Sequence, residues 1–67
     1  MGRVNLKKFR IEQGLKSKEM AEKLGLCKQY YSNIELGKNN PSYETIEEFE
    51  KVFNVDAKDV WILFKKA

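Results

Sequence analysis

The segment SKEMAEKLGLCKQYYSNIELGKNNPS, from Ser17 to Ser42, constrains the fold of this chain more tightly than any other stretch. It reads as two short helices joined by a tight turn, with a basic loop rich in glycine and asparagine behind them. Ala21 is small where two helices must approach closely. Gly25 stands where the first of the pair ends, a position that favours a left-handed backbone, which glycine adopts without steric cost. Ile34 lies on the face of the second helix that packs back on the first.

Helical periodicity extends the reading to five helices. The first spans roughly Val4 or Asn5 to Glu12, with Leu6, Phe9 and Gln13 on its inner stripe, and Gly14 stops it. The second runs from about Ser17 to Leu24 with Met20, Ala21 and Leu24 inward. The third covers about Lys28 to Leu36 with Tyr31 and Ile34 inward, and Gly37 ends it. Ser42 caps a fourth helix carrying Ile46, Phe49, Val52 and Phe53 at helical spacing. Asp56 caps a fifth, which holds Val60, Trp61, Leu63 and Phe64. No strand-like alternation, repeat or low-complexity linker interrupts this pattern. The expected fold class is all-α: a compact five-helix domain spanning residues 1–67.

A chain of 67 residues has room for one small core. Cys27 is its one cysteine, which excludes an internal disulfide and a cysteine-based zinc site. No signal peptide or membrane-length apolar run is visible, so a cytoplasmic, nucleoid-associated protein with no membrane contact is expected. There is no histidine, no glycine-rich phosphate loop and no metal-ligand cluster. An enzyme is therefore not expected, nor a cofactor or metal. Residues 1–41 carry nine Lys and Arg against four Glu, whereas residues 42–67 carry four Lys against six Asp and Glu. Such polarity suits one surface that meets phosphate and an opposite, acidic back.

Removing the inward residues of the third helix leaves Lys28, Gln29, Ser32 and Asn33 exposed near its start, with Tyr30 beside them. Lysine donates to guanine O6 and N7, and glutamine or asparagine can bond adenine in bidentate fashion. Gln29 and Asn33 are one turn apart and so face the same strip. The outer face of a helix pair braced in this way is of a size that enters the major groove of DNA.

The string LKSKEMAEKLGLCKQYYSNIELGKNNPS resembles the helix-turn-helix of the Cro/C1-type (XRE-like) family of phage and bacterial transcriptional regulators. The similarity runs from about Leu6 to Trp61. It implies a lambda-repressor-like fold and a regulator of double-stranded DNA, with helices 2 and 3 as the helix-turn-helix. It implies Lys28, Gln29 and Asn33, with Ser32, as base readers, and Lys38, Asn39 and Asn40 as a phosphate clamp. Ser17 stands where the family usually places a phosphate-gripping glutamine, so that contact is weaker or passes to Lys18 or Lys16. Tyr30 offers a hydroxyl to phosphate or its ring to a thymine methyl. The resemblance also implies a partly buried ion pair between Arg10 and Glu35.

Two residues depart from the family pattern. Cys27 replaces the usual serine or threonine cap of the third helix, beside the phosphate backbone. It reads as a small cap residue, with a redox-sensing thiol as the sharper alternative. Leu36 replaces a frequent asparagine, so it gives up a phosphate contact and packs on Pro41 or on a partner. The run Trp61, Ile62, Leu63 and Phe64 is richer than one helix face requires; a homodimer contact and core filling are equally good readings. The acidic face of Glu44, Glu47, Glu48 and Glu50 is either solvated or a contact for RNA polymerase or a regulatory protein. A protein-interaction module of antirepressor or antitoxin-like type is the alternative to a repressor on a palindromic operator.

Overall fold

The structure, a computed structural model, describes residues 2–66. Five helices account for its regular structure: α1 (Val4–Glu12), α2 (Ser17–Lys23), α3 (Lys28–Glu35), α4 (Tyr43–Phe53) and α5 (Ala57–Leu63). No strand occurs among the described residues. α2 packs on α3, α1 lies against both α3 and α5, and α5 also meets α4. The fold class expected from the periodicity is the one found.

Three of the helices end by the same device. Past α2, Gly25 N–H donates to Glu22 O at 3.2 Å and Leu26 N–H to Ala21 O at 2.8 Å, with Gly25 at φ +71°. This is the Schellman arrangement, which satisfies two carbonyls that the helix end would leave open. It turns the chain sharply and drops Leu26 onto the core. The same pair of bonds closes α1 through Gly14 and Leu15, and α3 through Gly37 and Lys38. At the other end of α4, Ser42 Oγ accepts from Thr45 N at 3.2 Å, a side-chain cap of the expected kind. Asp56 has the extended backbone of a cap, but its side chain makes no capping hydrogen bond.

The core comprises Leu6, Met20, Ala21, Leu24, Tyr31, Ile34, Phe49, Val60 and Phe64. Phe49 is its hub: its ring lies 5.4 Å from that of Phe9, 4.9 Å from Phe53 and 5.1 Å, edge-on, from Phe64. Tilted and edge-on pairs at these distances match the attraction between ring edges and faces. Two residues expected inside are outside: Gln13 is the exposed C-cap of α1, and Val52 sits at the solvent edge of α4.

The C-terminal apolar run divides. Phe64 is only 8% exposed and belongs to the core, and Leu63 packs half-buried against it. Phe64 meets the ring of Phe49 edge-on at 5.1 Å, as the core-filling reading expects. Trp61 and Ile62 project outward, 75% and 58% exposed. Leu36 is likewise exposed rather than covered. No described helix is long and apolar enough to cross a membrane.

Candidate nucleic-acid interface

Burial of Tyr31 and Ile34 fixes which side of α3 faces out. Lys28 and Gln29 are exposed, and Tyr30, Ser32 and Asn33 are half-exposed. Gln29 Nε2 donates to Asn33 Oδ1 at 3.2 Å, so the two amides lie in line along the outer face. Each amide still offers further donor and acceptor positions for a base edge. Cys27 is the exposed N-cap of α3, with extended backbone and no side-chain capping bond.

Ser17 and Lys18 occupy the first turn of α2. Lys16 precedes it as N-cap, and its N–H donates to Glu19 Oε1 at 2.8 Å. That carboxylate complements the positive end of the helix, which weakens its pull on an external anion. The loop beyond α3 hangs on that helix: Asn33 O accepts from Lys38 N at 2.9 Å and from Asn39 N at 3.2 Å. Tyr30 OH donates to Asn40 O at 3.4 Å. Asn33 therefore does two jobs at once, offering a side chain outward and a carbonyl that anchors the loop. Lys28, Gln29, Tyr30, Ser32 and Asn33 thus share a helix to which the loop of Lys38, Asn39 and Asn40 is hydrogen-bonded.

The helix-turn-helix family profile matches residues 6–60, most of the chain. The chain belongs to this family of DNA-binding transcriptional regulators. It is 32% identical over 60 residues to an uncharacterized HTH-type transcriptional regulator of Archaeoglobus fulgidus, covering 90% of this chain and 86% of the relative. It is 35% identical over 57 residues to another from Methanocaldococcus jannaschii, covering 85% and 86%. With the HTH-type transcriptional regulator SinR of Bacillus subtilis it shares 39% identity over 51 residues, 75% of this chain but 46% of SinR. No solved structure gave a significant match.

A charged brace joins α1 to the inner side of α3. Arg10 Nε meets Glu35 Oε2 at 2.7 Å, with both side chains only 11% exposed. Arg10 Nη1 also donates to Leu15 O at 2.8 Å. Tyr31 OH donates to the same Glu35 oxygen. The hydrogen bond that it donates to Glu35 is the main reason the Arg10 guanidinium is held above its ordinary pKa. Burial, then the bond to Glu35, pushes the Tyr31 phenol far above the usual tyrosine value. The fold thus favours neutral Tyr31, and this contribution is fully present below the unfolded value of about 10. Above it, stability falls as the unfolded chain releases a proton that the folded chain keeps. We expect wild type to lose stability faster than Tyr31→Phe above pH 10, by up to about 1.4 kcal/mol per pH unit, in urea titrations at stepped alkaline pH.

Sequence reasoning missed Arg3. It is only 4% exposed. Nε donates to Phe64 O at 2.8 Å, Nη1 to Ile34 O and, at 3.0 Å, to Asn39 O, and Nη2 to Asn40 Oδ1 at 3.0 Å. Its backbone N–H donates to Glu35 O at 2.7 Å. Burial holds its pKa below the ordinary arginine value. Among the described residues no carboxylate pairs with it; the carbonyl-rich ends of α3 and α5 surround it instead, and their partial negative charge suits a cation. A Cβ on Gly2 would lie 2.9 Å from Glu35 O, so this close approach of the N-terminal segment requires glycine. The available clue was a basic residue beside a glycine ahead of the first helix, too weak a pattern to mark burial.

Proposed function

We propose that residues 1–67 act as one unit, a sequence-specific repressor of phage or mobile-element type that places α3 in the major groove of a palindromic operator. The observation that carries this reading is the aligned Gln29–Asn33 pair on the open face of α3, with the lysine-bearing loop anchored to it. Lys28, Gln29, Ser32 and Asn33 read bases. Ser17, Lys18, Cys27, Tyr30, Lys38, Asn39 and Asn40 contact the backbone, through side chains or through N–H groups at the helix starts. Binding rather than turnover is the activity, and the cytoplasm is where it takes place.

A body of 24 × 24 × 23 Å spans about seven base pairs at 3.4 Å each, which is a half-site. A two-fold partner would add a second half-site about 34 Å away. Exposed Trp61 and Ile62 are the apolar surface we assign to that contact. The acidic face of α4 is left for RNA polymerase or a second regulator.

The test is selection from a randomised duplex pool at two salt concentrations, followed by sequencing. We expect an inverted repeat to be enriched. Affinity should fall with salt at a log–log slope of roughly −0.9 per phosphate contacted. A pool that stays random at both salts would favour a protein-interaction module, a reading consistent with exposed Leu36 beside the loop.

A further inference from the structure

We propose that Arg3 is a positioning residue for DNA binding, which holds the Lys38–Asn40 loop in the conformation that presents its donors to phosphate. The proposal rests on the loop being a backbone contact, as argued above. A guanidinium offers only donors, so the side chain of Asn40 must turn its oxygen toward Arg3, as it does at 3.0 Å. The amide nitrogen is then the end left for a ligand, and a phosphate accepts only from donors. The orientation that satisfies Arg3 is therefore the one competent for phosphate.

The same guanidinium grips the loop backbone at Asn39 O, 3.0 Å away. It is itself immobilised by Ile34 O and Phe64 O, at the ends of two core helices. Asn33 O holds the other edge of the loop by the amides of Lys38 and Asn39. The loop is thus clamped from the core side and from the recognition helix before DNA arrives. Ordering a free loop would otherwise oppose association, and pre-organisation removes that cost. Arg3 reaches the ligand only through Asn39 and Asn40, so it acts by placing them. Lysine cannot replace it fully, because one ammonium does not span the fork that joins Phe64 O to Asn40 Oδ1.

The test is a double-mutant cycle on the selected duplex, using Arg3→Lys, Asn40→Ala and the double variant, with affinity followed by fluorescence anisotropy at several salts. Each single variant is expected to bind roughly tenfold more weakly with unchanged helical circular dichroism. The salt slope should stay near the wild-type value, because the neutral Asn40 amide releases no counterion when it meets phosphate. The double variant should bind little worse than either, since both changes remove one contact. Wild-type affinity in Arg3→Lys, or independent effects that multiply in the double variant, would overturn the proposal.

Should Arg3→Lys lose its helical signal, the loop side gives the same answer without DNA. Asn40→Asp keeps an acceptor for Arg3, and Asn40→Leu removes it. The Asn39 amide should exchange with solvent at the wild-type rate in the first and about tenfold faster in the second; equal rates would overturn the role of Arg3. A wild-type chain that binds no duplex overturns the DNA reading itself, whereas normal binding by a folded Arg3→Lys overturns only the inference about Arg3.

Discussion

Arg10→Met is expected to lower the unfolding free energy by about 3–5 kcal/mol, the usual result of removing one partner from a buried ion pair. Methionine matches the length of the arginine stem and can fill its space, so the loss is electrostatic rather than a cavity. Glu35 would be left 11% exposed with its charge opposed only by the Tyr31 hydroxyl. Leu15 O would also lose its donor, which helps to fix the entry to α2. A domain of this size has a total stability of about 3–10 kcal/mol, so the change removes about a third of it or more. Each kcal/mol corresponds to roughly 4–8 °C, so thermal melts should fall by more than about 12 °C.

A second change separates the causes. Glu35→Gln in the Arg10→Met background removes the stranded charge and keeps an acceptor for Tyr31. We expect it to restore part of the lost stability in urea titrations. If Arg10→Met costs less than 1 kcal/mol, the pair is an ordinary solvated contact and the brace behind α3 is apolar packing alone.

Gln29→Ala and Asn33→Ala should each weaken binding to the selected duplex by roughly 1–3 kcal/mol, about five- to 150-fold. Both substitutions introduce the best helix former, so stability should not fall. The backbone of Asn33 would still anchor Lys38 and Asn39, because the carbonyl is untouched. Specificity should therefore be lost while the salt slope stays constant. Competition against a scrambled duplex reads the first quantity and a salt series the second. The two effects should not add fully, since the amides already bond each other at 3.2 Å and each orients the other. An equal loss on the scrambled duplex would place both side chains on the phosphate backbone instead.

Much of the architecture was legible because its signals are local. Gly25 marks a helix end because a left-handed residue must follow the last turn, and the bonds that close it involve residues three to five apart. The outer face of α3 follows from the positions of Tyr31 and Ile34, since helical period alone assigns the remaining side chains. Val52 and Gln13 were misplaced for the converse reason. A periodic stripe says which residues share a face, but not how far the neighbouring helix extends to cover it. In α5 the same ambiguity joined Phe64 to Trp61 and Ile62. Its burial depends on the ring of Phe49, which reaches it from α4 and is itself flanked by the rings of Phe9 and Phe53.

The sequence by itself thus determined the five helices, the glycine turns, the charge polarity and the face of α3 that remains open, all of which depend on spacing within one segment. The tertiary structure alone decided which apolar residues at the C-terminus are covered, and that Arg3 is buried. Four bonds from that one guanidinium join segments 31 to 61 residues apart. A cation ahead of the first helix carries no local mark of burial, because its partners are carbonyl oxygens, and every residue has one. Only the folded chain brings the ends of α3 and α5 together, and their convergence makes the site that holds the charge.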